Sequence, residues 1–285
     1  MALNFPDSPT DGQIYNGFQW DATPGVWRPV ASDPSLAGLS DTDIVSPASG
    51  EKLVYDGTAW VNVEGYIYVQ TVEFTSSGAF AKSSYPWLRA IRVKAVGGGG
   101  GGGGAGATGA TTTCAGSGGQ GGVYGERFIT DIAGLSSSET VTVGAAGAGG
   151  SAGANDGSAG GSSSFGSLLV VNGGREGIGI TAGSPPRIRT SHGGNTGATG
   201  ADFSFKGRPG GAGFALDGYF QPGNGGYTFL APESQQTLGG RTTRRDGPAG
   251  VGFGAGGSGG GAGYSQSASA GGNGDDGVVI VELFA

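Results

Sequence analysis

Eight consecutive glycines, Gly97–Gly104, follow directly on residues 91–96, which have the two-residue hydrophobic period of a β-strand. Glycine then recurs at short intervals as far as Gly277, and 59 of the 67 glycines lie between 97 and 277. Strand character returns at once in residues 278–284. Because glycine loses more backbone entropy on folding than any other residue, such a segment is either disordered or packs backbone against backbone.

Three interpretations of the glycine-rich segment compete. Disorder is typical of Gly/Ser/Ala-rich sequence, but this segment carries little charge and is interrupted by large apolar residues such as Phe165, Val171 and Phe214. Collagen requires a strict triplet repeat and abundant proline, whereas here the period lapses and the segment holds only six prolines. The pattern therefore favours a bundle of three-residue-per-turn polyglycine II helices over irregular packing of glycine loops. The amides of such helices must bond to neighbouring helices.

Composition limits the classes of function. The chain has 285 residues and a net charge of −7, which argues against nucleic acid as the main partner. No apolar run approaches the ~20 residues that span a bilayer, and the N-terminus lacks the features of a signal peptide. We therefore expect synthesis in a cytoplasm and no membrane insertion. Cys114 is the only cysteine, which excludes an intrachain disulfide and a cysteine-built metal site, and we expect it to be a small buried side chain.

The first 70 residues contain an internal repeat. The hexapeptide Tyr-Asn-Gly-Phe-Gln-Trp at 15–20 recurs as Tyr-Asp-Gly-Thr-Ala-Trp at 55–60, and both patterns predict β-hairpins with two-residue turns. Trp27, which follows Thr-Pro-Gly, extends the first copy to a three-stranded meander. We predict a hairpin module over residues 1–30, a linker over 31–45 and a second module over 46–70. Because a lone hairpin is marginal in water, these modules also predict oligomerisation without fixing the number of chains.

The order of the motifs resembles that of tail-fibre and spike proteins of bacteriophages and phage-like gene transfer agents. The N-terminal run Met-Ala-Leu-Asn-Phe-Pro at 1–6, followed by Pro9, Gly12 and the first hexapeptide, looks like the start of such proteins. The segment from 39 to 61 resembles a repeat of marine-phage structural proteins. From residue 73 the chain resembles the glycine-rich domain of phage fibres. The matching pieces are Glu-Phe-Thr-Ser-Ser-Gly-x-Phe at 73–80, the strand at 93–96 with the glycine run, 141–147, 161–166 and 274–282.

This resemblance implies an all-β fold in which a TNF-like, jelly-roll β-sandwich has polyglycine II helices inserted between its strands, as in the similar extracellular region of anaplastic lymphoma kinase. The glycine-rich adhesin domain is expected to cover residues 71–285, with insertions at 144–164 and 173–277. The second insertion is too long for a plain loop and should carry its own structure. The strands are expected near 72–75, 89–96, 123–131, 139–143, 167–172 and 278–284.

The sequence gives little support to catalysis. His192 is the only histidine and lies in a small polar loop, and the carboxylates of the second insertion are scattered. We therefore expect no enzymatic activity, no cofactor and no metal site. Asp275 and Asp276 could suggest calcium, but residues 273–277 are more simply a turn into the last strand. A capsule depolymerase is the least supported alternative, since its carboxylates could come from distant segments or different subunits.

Binding is better supported than catalysis. Flat aromatic rings stack on sugar faces, guanidinium groups bind carboxylates or phosphates, and both residue types are concentrated in the second insertion. The candidate receptor-binding residues are Arg187, Arg189, Arg208, Tyr219, Phe220, Tyr227, Arg241, Arg244 and Arg245. The simpler interpretation of each one is structural: the rings fill gaps between glycine helices, and the arginines solvate loops.

The resemblance also implies a location and partners. It implies a homotrimer in a virion that contacts other virion proteins through residues 1–70 and a host cell-surface polysaccharide or protein through the glycine-rich domain. The trimer depends on the resemblance alone, because no heptad stretch is present. The candidate virion-anchoring residues are Phe5, Tyr15, Trp20 and Trp27. The main rival hypothesis is a purely structural connector within the virion.

Overall fold

The structure is a computed structural model that describes residues 5–15, 18–29, 42–44, 51–63, 65–194 and 197–285. The chain divides into two compact units, Met1–Tyr66 and Ile67–Ala285. Across the described ranges the regular structure is β-strand, apart from a short 3₁₀ helix at Lys82–Ser84. The predicted all-β class is confirmed. The predicted linker over 31–45 lies outside the described residues except for 42–44.

The first unit contains a three-stranded antiparallel meander. Its strands are β1 (Ile14–Tyr15), β2 (Phe18–Asp21) and β3 (Val26–Pro29). Tyr15 lies opposite Phe18, and Trp20 lies opposite Trp27. The first copy of the repeat therefore forms a hairpin that continues into a third strand. Its two turn residues, 16 and 17, lie outside the described part of the chain.

The second copy of the repeat forms a hairpin with a longer turn than predicted. The hairpin consists of β5 (Lys52–Tyr55) and β6 (Trp60–Val63). A further short strand, β4 (Thr42–Asp43), pairs with β6 in parallel. Tyr55 pairs with Trp60, which leaves four residues in the turn. Asp56 stabilises this longer turn because its Oδ1 accepts hydrogen bonds from the amides of Ala59 (3.0 Å) and Thr58 (2.8 Å). The same bonds lower the pKa of Asp56.

The second unit contains sixteen of the strands in the described residues. They are β7 (Tyr68–Phe74), β8 (Gly78–Ala81), β9 (Ala90–Val96), β10 (Cys114–Ala115), β11 (Tyr124–Ile129), β12 (Ser138–Thr142), β13 (Ser163–Phe165), β14 (Leu169–Val171), β15 (Arg187–Arg189), β16 (Ala198–Thr199), β17 (Phe203–Phe205), β18 (Gly213–Leu216), β19 (Tyr219–Gln221), β20 (Arg244–Arg245), β21 (Gly261–Ala262) and β22 (Val278–Phe284). Each of the six predicted strands is present within a few residues of its expected bounds.

Ten of these strands form a β-sandwich of two antiparallel sheets, in the orders β17-β11-β9-β22-β7 and β16-β14-β13-β12-β8. The core lies between the sheets, where Ile91, Val93 and Val281 of the first sheet share one buried cluster with Phe165 and Val171 of the second. Burying each such side chain stabilises the fold by about 1.5–3 kcal/mol. The second insertion contributes the edge strands β16 and β17, so it is part of the sandwich as well as an addition to it.

Polyglycine II segments occupy the insertions. In each segment, backbone hydrogen bonds to a given neighbour recur at every third residue. In the described residues we number them PG1 (97–105), PG2 (116–123), PG3 (144–150), PG4 (155–161), PG5 (172–180), PG6 (207–211), PG7 (223–227), PG8 (247–250), PG9 (254–260) and PG10 (269–277). The three-residue register confirms the predicted polyglycine bundle and excludes irregular packing of glycine loops.

PG1 lies at the centre of the bundle and has six neighbours. Successive amides of PG1 donate hydrogen bonds to PG2, PG4 and PG10 in turn, and this order repeats every three residues. The carbonyl groups of PG1 accept hydrogen bonds from PG3, PG5 and PG9. The bonds to PG4, for example, run from Gly98, Gly101 and Gly104 to Gly161, Ser158 and Asn155. All eight consecutive glycines donate such a bond, so the backbone amides of this buried segment are satisfied without water.

The close approach of these backbones explains the glycine pattern. A Cβ atom added at Gly99 would lie 1.9 Å from the carbonyl oxygen of Ala255, and one at Gly101 would lie 2.0 Å from that of Ala148. PG1 is surrounded on all sides and therefore needs glycine throughout. Outer segments need glycine where they face another backbone closely. Gly157 and Gly160 face PG1 in this way, and Gly207 and Gly210 face PG2, so each pair is three residues apart.

Residues 273–277 form part of PG10, and the prediction of a simple turn there is wrong. Their side chains accept hydrogen bonds from amides that point away from the centre of the bundle. Asn273 Oδ1 accepts from Gly149 at 2.8 Å, and Asp276 Oδ1 accepts from Ala146 at 2.6 Å. These polar side chains take the place of a further neighbouring helix where the bundle ends, and they account for the paired aspartates without a cation.

Candidate functional site

The four candidate anchoring residues form one aromatic cluster in the meander. Phe5 stacks on Trp27 with ring centroids 5.0 Å apart, and Trp27 also packs against Tyr15 at 6.3 Å and Trp20 at 5.6 Å. These rings form the small core of the meander, and the Tyr15 ring remains partly exposed. Aromatic pairs contribute about 0.5–1.5 kcal/mol each beyond their buried area, which helps such a small module to fold.

In the second insertion, β15, β18 and β19 form a sheet with two different faces. Residues that lie opposite one another share a face, and alternate residues change face. Ile188, Phe214, Leu216 and Tyr219 are exposed on the outer face, whereas Ala215 is buried on the inner face. Arg187, Arg189 and Phe220 occupy inner-face positions, since Arg187 and Phe220 pair with Ala215, and Arg189 lies two residues from Arg187.

This register places Arg187, Arg189 and Phe220 on the face of the sheet opposite to that of Tyr219. The Phe220 side chain is only 1% exposed and packs against Ala115 and Ala215. The Arg187 guanidinium lies close against Gly183. Arg187 also acts on Cys114: burial raises the pKa of that thiol to about 11, and the Arg187 charge opposes the rise. The expectation that the Phe220 ring contacts a receptor is therefore wrong, because this ring is buried, and the simpler, structural interpretation applies to it.

Arg241 is held at the edge of the same sheet. Its guanidinium forms an ion pair with Asp217 and lies over the Tyr219 ring, 5.6 Å from the centroid. The Tyr264 hydroxyl donates to the other Asp217 oxygen at 3.3 Å. Desolvation and the Asp217 charge raise the pKa of Tyr264. The Arg241 charge is therefore already compensated within the chain.

Arg244 and Arg245 are adjacent on β20 but differ in their partners. Arg244 Nη2 lies 2.5 Å from Asp246 Oδ1, which also accepts a hydrogen bond from the Ala270 amide at 2.8 Å. Arg244 thus stabilises the local backbone. Arg245 is exposed, and no ion pair involves it within the described ranges.

The remaining two candidates, Arg208 and Tyr227, line a cleft beside the edge strand β17. The cleft encloses 260 Å³ and is lined by Phe205, Lys206, Arg208, Tyr227, Thr228 and Phe229. The Arg208 guanidinium lies over the Tyr227 ring, 5.3 Å from its centroid. The Phe205 and Phe229 rings stack with centroids 5.5 Å apart and an angle of 12° between their planes. We call these six residues the aromatic cleft.

The polyglycine bundle fixes the backbone of the aromatic cleft. Arg208 lies on PG6 and Tyr227 on PG7, and the Arg208 amide donates to the Tyr227 carbonyl oxygen at 3.0 Å. The Arg208 carbonyl oxygen accepts in turn from Gly121 of PG2 at 3.0 Å. Below the cleft, the Tyr124 ring supports Phe229 at 4.7 Å. Burial and a hydrogen bond to Glu126 raise the pKa of Tyr124, so its hydroxyl stays neutral and donates to that carboxylate.

Comparison with known protein families agrees with this architecture. The profile of the glycine-rich domain family matches residues 75–284, which is most of the chain. The chain belongs to the glycine-rich domain family. The matched region of the glycine-rich domain contains most of the sandwich, the whole polyglycine bundle and the aromatic cleft. No curated protein shows significant similarity to the chain.

Sequence reasoning missed four residues of the cleft in the glycine-rich domain. Phe205, Lys206, Thr228 and Phe229 were not among the candidate receptor-binding residues. A signal was present in Phe203-Ser204-Phe205, which alternates apolar and polar residues as a strand does and places both rings on one side. These rings are exposed, which distinguishes them from the inward-facing rings of the sandwich core.

The glycine-rich domain also contains a histidine–carboxylate pair. His192 Nε2 lies 3.3 Å from Glu176 Oε1, an ion pair only when the imidazole is protonated. The described residues contain no group of three His, Cys, Asp or Glu side chains arranged to hold a metal ion. In the same residues no helix has the length and apolar character needed to cross a membrane.

Proposed function

We propose that the chain is a fibre or spike protein of a bacteriophage or phage-like gene transfer agent. It attaches to the particle through residues 1–70 and binds a host cell-surface polysaccharide through the glycine-rich domain, as a homotrimer. The observation that carries the binding role is the aromatic cleft, where exposed rings and cations are held on a hydrogen-bonded backbone scaffold. Rigid scaffolds that present variable loops are a common design for recognition.

The attachment role is supported by the motifs of the N-terminal segment and their resemblance to phage fibre proteins. The aromatic cluster of Phe5, Tyr15, Trp20 and Trp27 supports it as well, because the cluster is small and partly open. A three-stranded module of this kind gains stability from contact with a further protein surface.

A structural connector is the second candidate. The observation that favours it is the outer face of the β15-β18-β19 sheet, where Ile188, Phe214 and Leu216 are exposed together. Contiguous apolar surface of this kind is typical of protein–protein contacts. A connector would use this face inside the particle and would not need the aromatic cleft.

An adsorption-competition experiment separates the two roles. Free full-length chain is added in excess to host cells before the particles, and the fraction of particles that adsorb is measured. An adhesin occupies the receptors and lowers adsorption in proportion to its concentration. Adsorption that stays unchanged at saturating chain would reject the adhesin role and leave the connector. Thermally unfolded chain at the same concentration serves as the control for non-specific effects.

A further inference from the structure

We infer that the aromatic cleft binds a carboxylated sugar residue within an acidic polysaccharide. The inference deepens the proposed function, because it assumes that the glycine-rich domain contacts a surface polysaccharide. It assigns the contact to the aromatic cleft rather than to the arginine segment 241–245, where Arg241 and Arg244 already have carboxylate partners.

The cations of the cleft are available to an anionic ligand. Arg208 uses the flat face of its guanidinium to stack on Tyr227, which leaves the N–H groups in its plane free to bind a carboxylate. No carboxylate lines the cleft, and no ion pair involves Arg208 or Lys206 within the residues that the structure describes. In a chain with a net charge of −7, this local excess of positive charge complements an acidic ligand.

The rings of the cleft provide a surface for the sugar itself. Phe229 is 62% exposed, and Tyr124 and Phe205 hold its ring in place. The face of an aromatic ring carries partial negative charge, so it attracts the polarised C–H groups on the flat side of a pyranose. The sugar ring is therefore expected to stack on Phe229 while its carboxylate meets Arg208 and Lys206.

The size of the cleft indicates one sugar residue of a longer chain. Its volume of 260 Å³ is below the ~300–1,000 Å³ of sites that enclose a whole small molecule. The backbone bonds of Arg208 and Tyr227 keep the site formed before binding, which lowers the entropy cost of association. Single-stranded nucleic acid also combines rings with negative charge, but a tract of phosphates requires a groove lined by more cations than two.

The test is calorimetric titration of the full-length chain with tetragalacturonate, with neutral maltotetraose and with a single-stranded oligothymidylate. We expect tetragalacturonate to bind at least tenfold more tightly than either of the others. Arg208→Gln and Phe229→Ala should each weaken its binding by tenfold or more, and Lys206→Gln should weaken it less. Arg175→Gln makes the same change of charge at an exposed residue outside the cleft and should leave the affinity unchanged.

Three results would overturn the inference: equal affinity for maltotetraose, tighter binding of the oligothymidylate, or binding that survives Arg208→Gln and Lys206→Gln together. Thermal unfolding of each variant checks that the fold is intact.

The two proposals fail separately. A chain that blocks adsorption of particles but binds no tetragalacturonate keeps its attachment role and loses the cleft assignment. A chain that binds tetragalacturonate but does not block adsorption keeps the cleft and loses the attachment role.

Discussion

Gly101 shows how one methyl group can disrupt the bundle. A Cβ atom at this position would lie 2.0 Å from the carbonyl oxygen of Ala148, so PG3 would have to move and lose its bonds to PG1. Overpacking of this kind costs about 3 kcal/mol or more. We therefore expect Gly101→Ala to lower the melting temperature by about 6–12 °C, measured by scanning calorimetry.

Gly193 provides the matched control for this substitution. No atom lies within 4 Å of an added Cβ, and its backbone is not left-handed. Gly193→Ala should change the free energy of unfolding by less than about 1 kcal/mol, in the stabilising direction, because alanine restricts the unfolded chain. Equal losses at the two positions would contradict the argument that packing of backbone on backbone explains the glycines.

Cys114 should make stability depend on alkaline pH. Burial raises its pKa from 9.0 to about 11, so the unfolded chain loses the thiol proton at lower pH than the folded chain does. This contribution to stability is complete below pH 9 and is lost as the pH rises toward 11. Denaturant titrations from pH 8 to pH 11 should show a decline that is weaker in Cys114→Ala. A thiol reagent should also react slowly with the native protein at pH 8 and rapidly after unfolding.

The role of a single residue could be predicted where it follows from the residue type, but not where it depends on which face of a short strand the side chain occupies. Cys114 was expected to be buried, and it is, because its small side chain lies among alanines and glycines. Phe220 was expected at a receptor-binding surface, but its side chain is buried. Strands β15 and β19 have three residues each, too short to show from the sequence which residues point inward. The inner face is set by packing of Ala215 and Phe220 against Ala115 of β10, which is distant in sequence.

PG1 should be among the slowest-exchanging elements of the protein. The amides of Gly97–Gly104 donate to neighbouring segments, and these residues are buried, so exchange requires the bundle to open. Hydrogen exchange measured by mass spectrometry should show protection of a peptide over 97–105 comparable to that of β9 and far above that of the exposed loop near 108–112. Rapid exchange in PG1, at the rate of that loop, would contradict the interpretation of the tract as a hydrogen-bonded polyglycine bundle.

At the element scale, elements with a periodic sequence pattern could be predicted from the sequence, whereas very short strands could not. The alternation in residues 91–96 and 139–143 predicted β9 and β12, and the spacing of glycine predicted polyglycine helices, since both periods follow from backbone geometry. Most strands of two to four residues in the second insertion are too short to show a period, although Phe203-Ser204-Phe205 of β17 alternates apolar and polar residues. The turn after Tyr55 differed from the prediction because the Asp56 carboxylate accepts hydrogen bonds from the amides of Thr58 and Ala59, which favour a turn of four residues over one of two.

At the scale of the whole molecule, the chain divides into two units after residue 66. We predict that residues 67–285 fold and bind the receptor without the first unit. The sandwich, its core, the polyglycine bundle and the aromatic cleft are all contained in residues 67–285. A chain of residues 67–285 should therefore unfold within a few degrees of the full-length protein in calorimetry. It should also compete with particles for adsorption as well as the full-length chain does.

The same truncation should abolish incorporation into particles, which is measured by immunoblotting of purified particles. Phe5→Ala with Trp27→Ala in the full chain is the finer version of the test, because it removes two of the stacked rings and leaves residues 67–285 intact. Normal incorporation of either variant would contradict anchoring through residues 1–70. Loss of competition with the truncated chain would instead place part of the receptor contact in the N-terminal unit, since the cleft itself lies within 67–285.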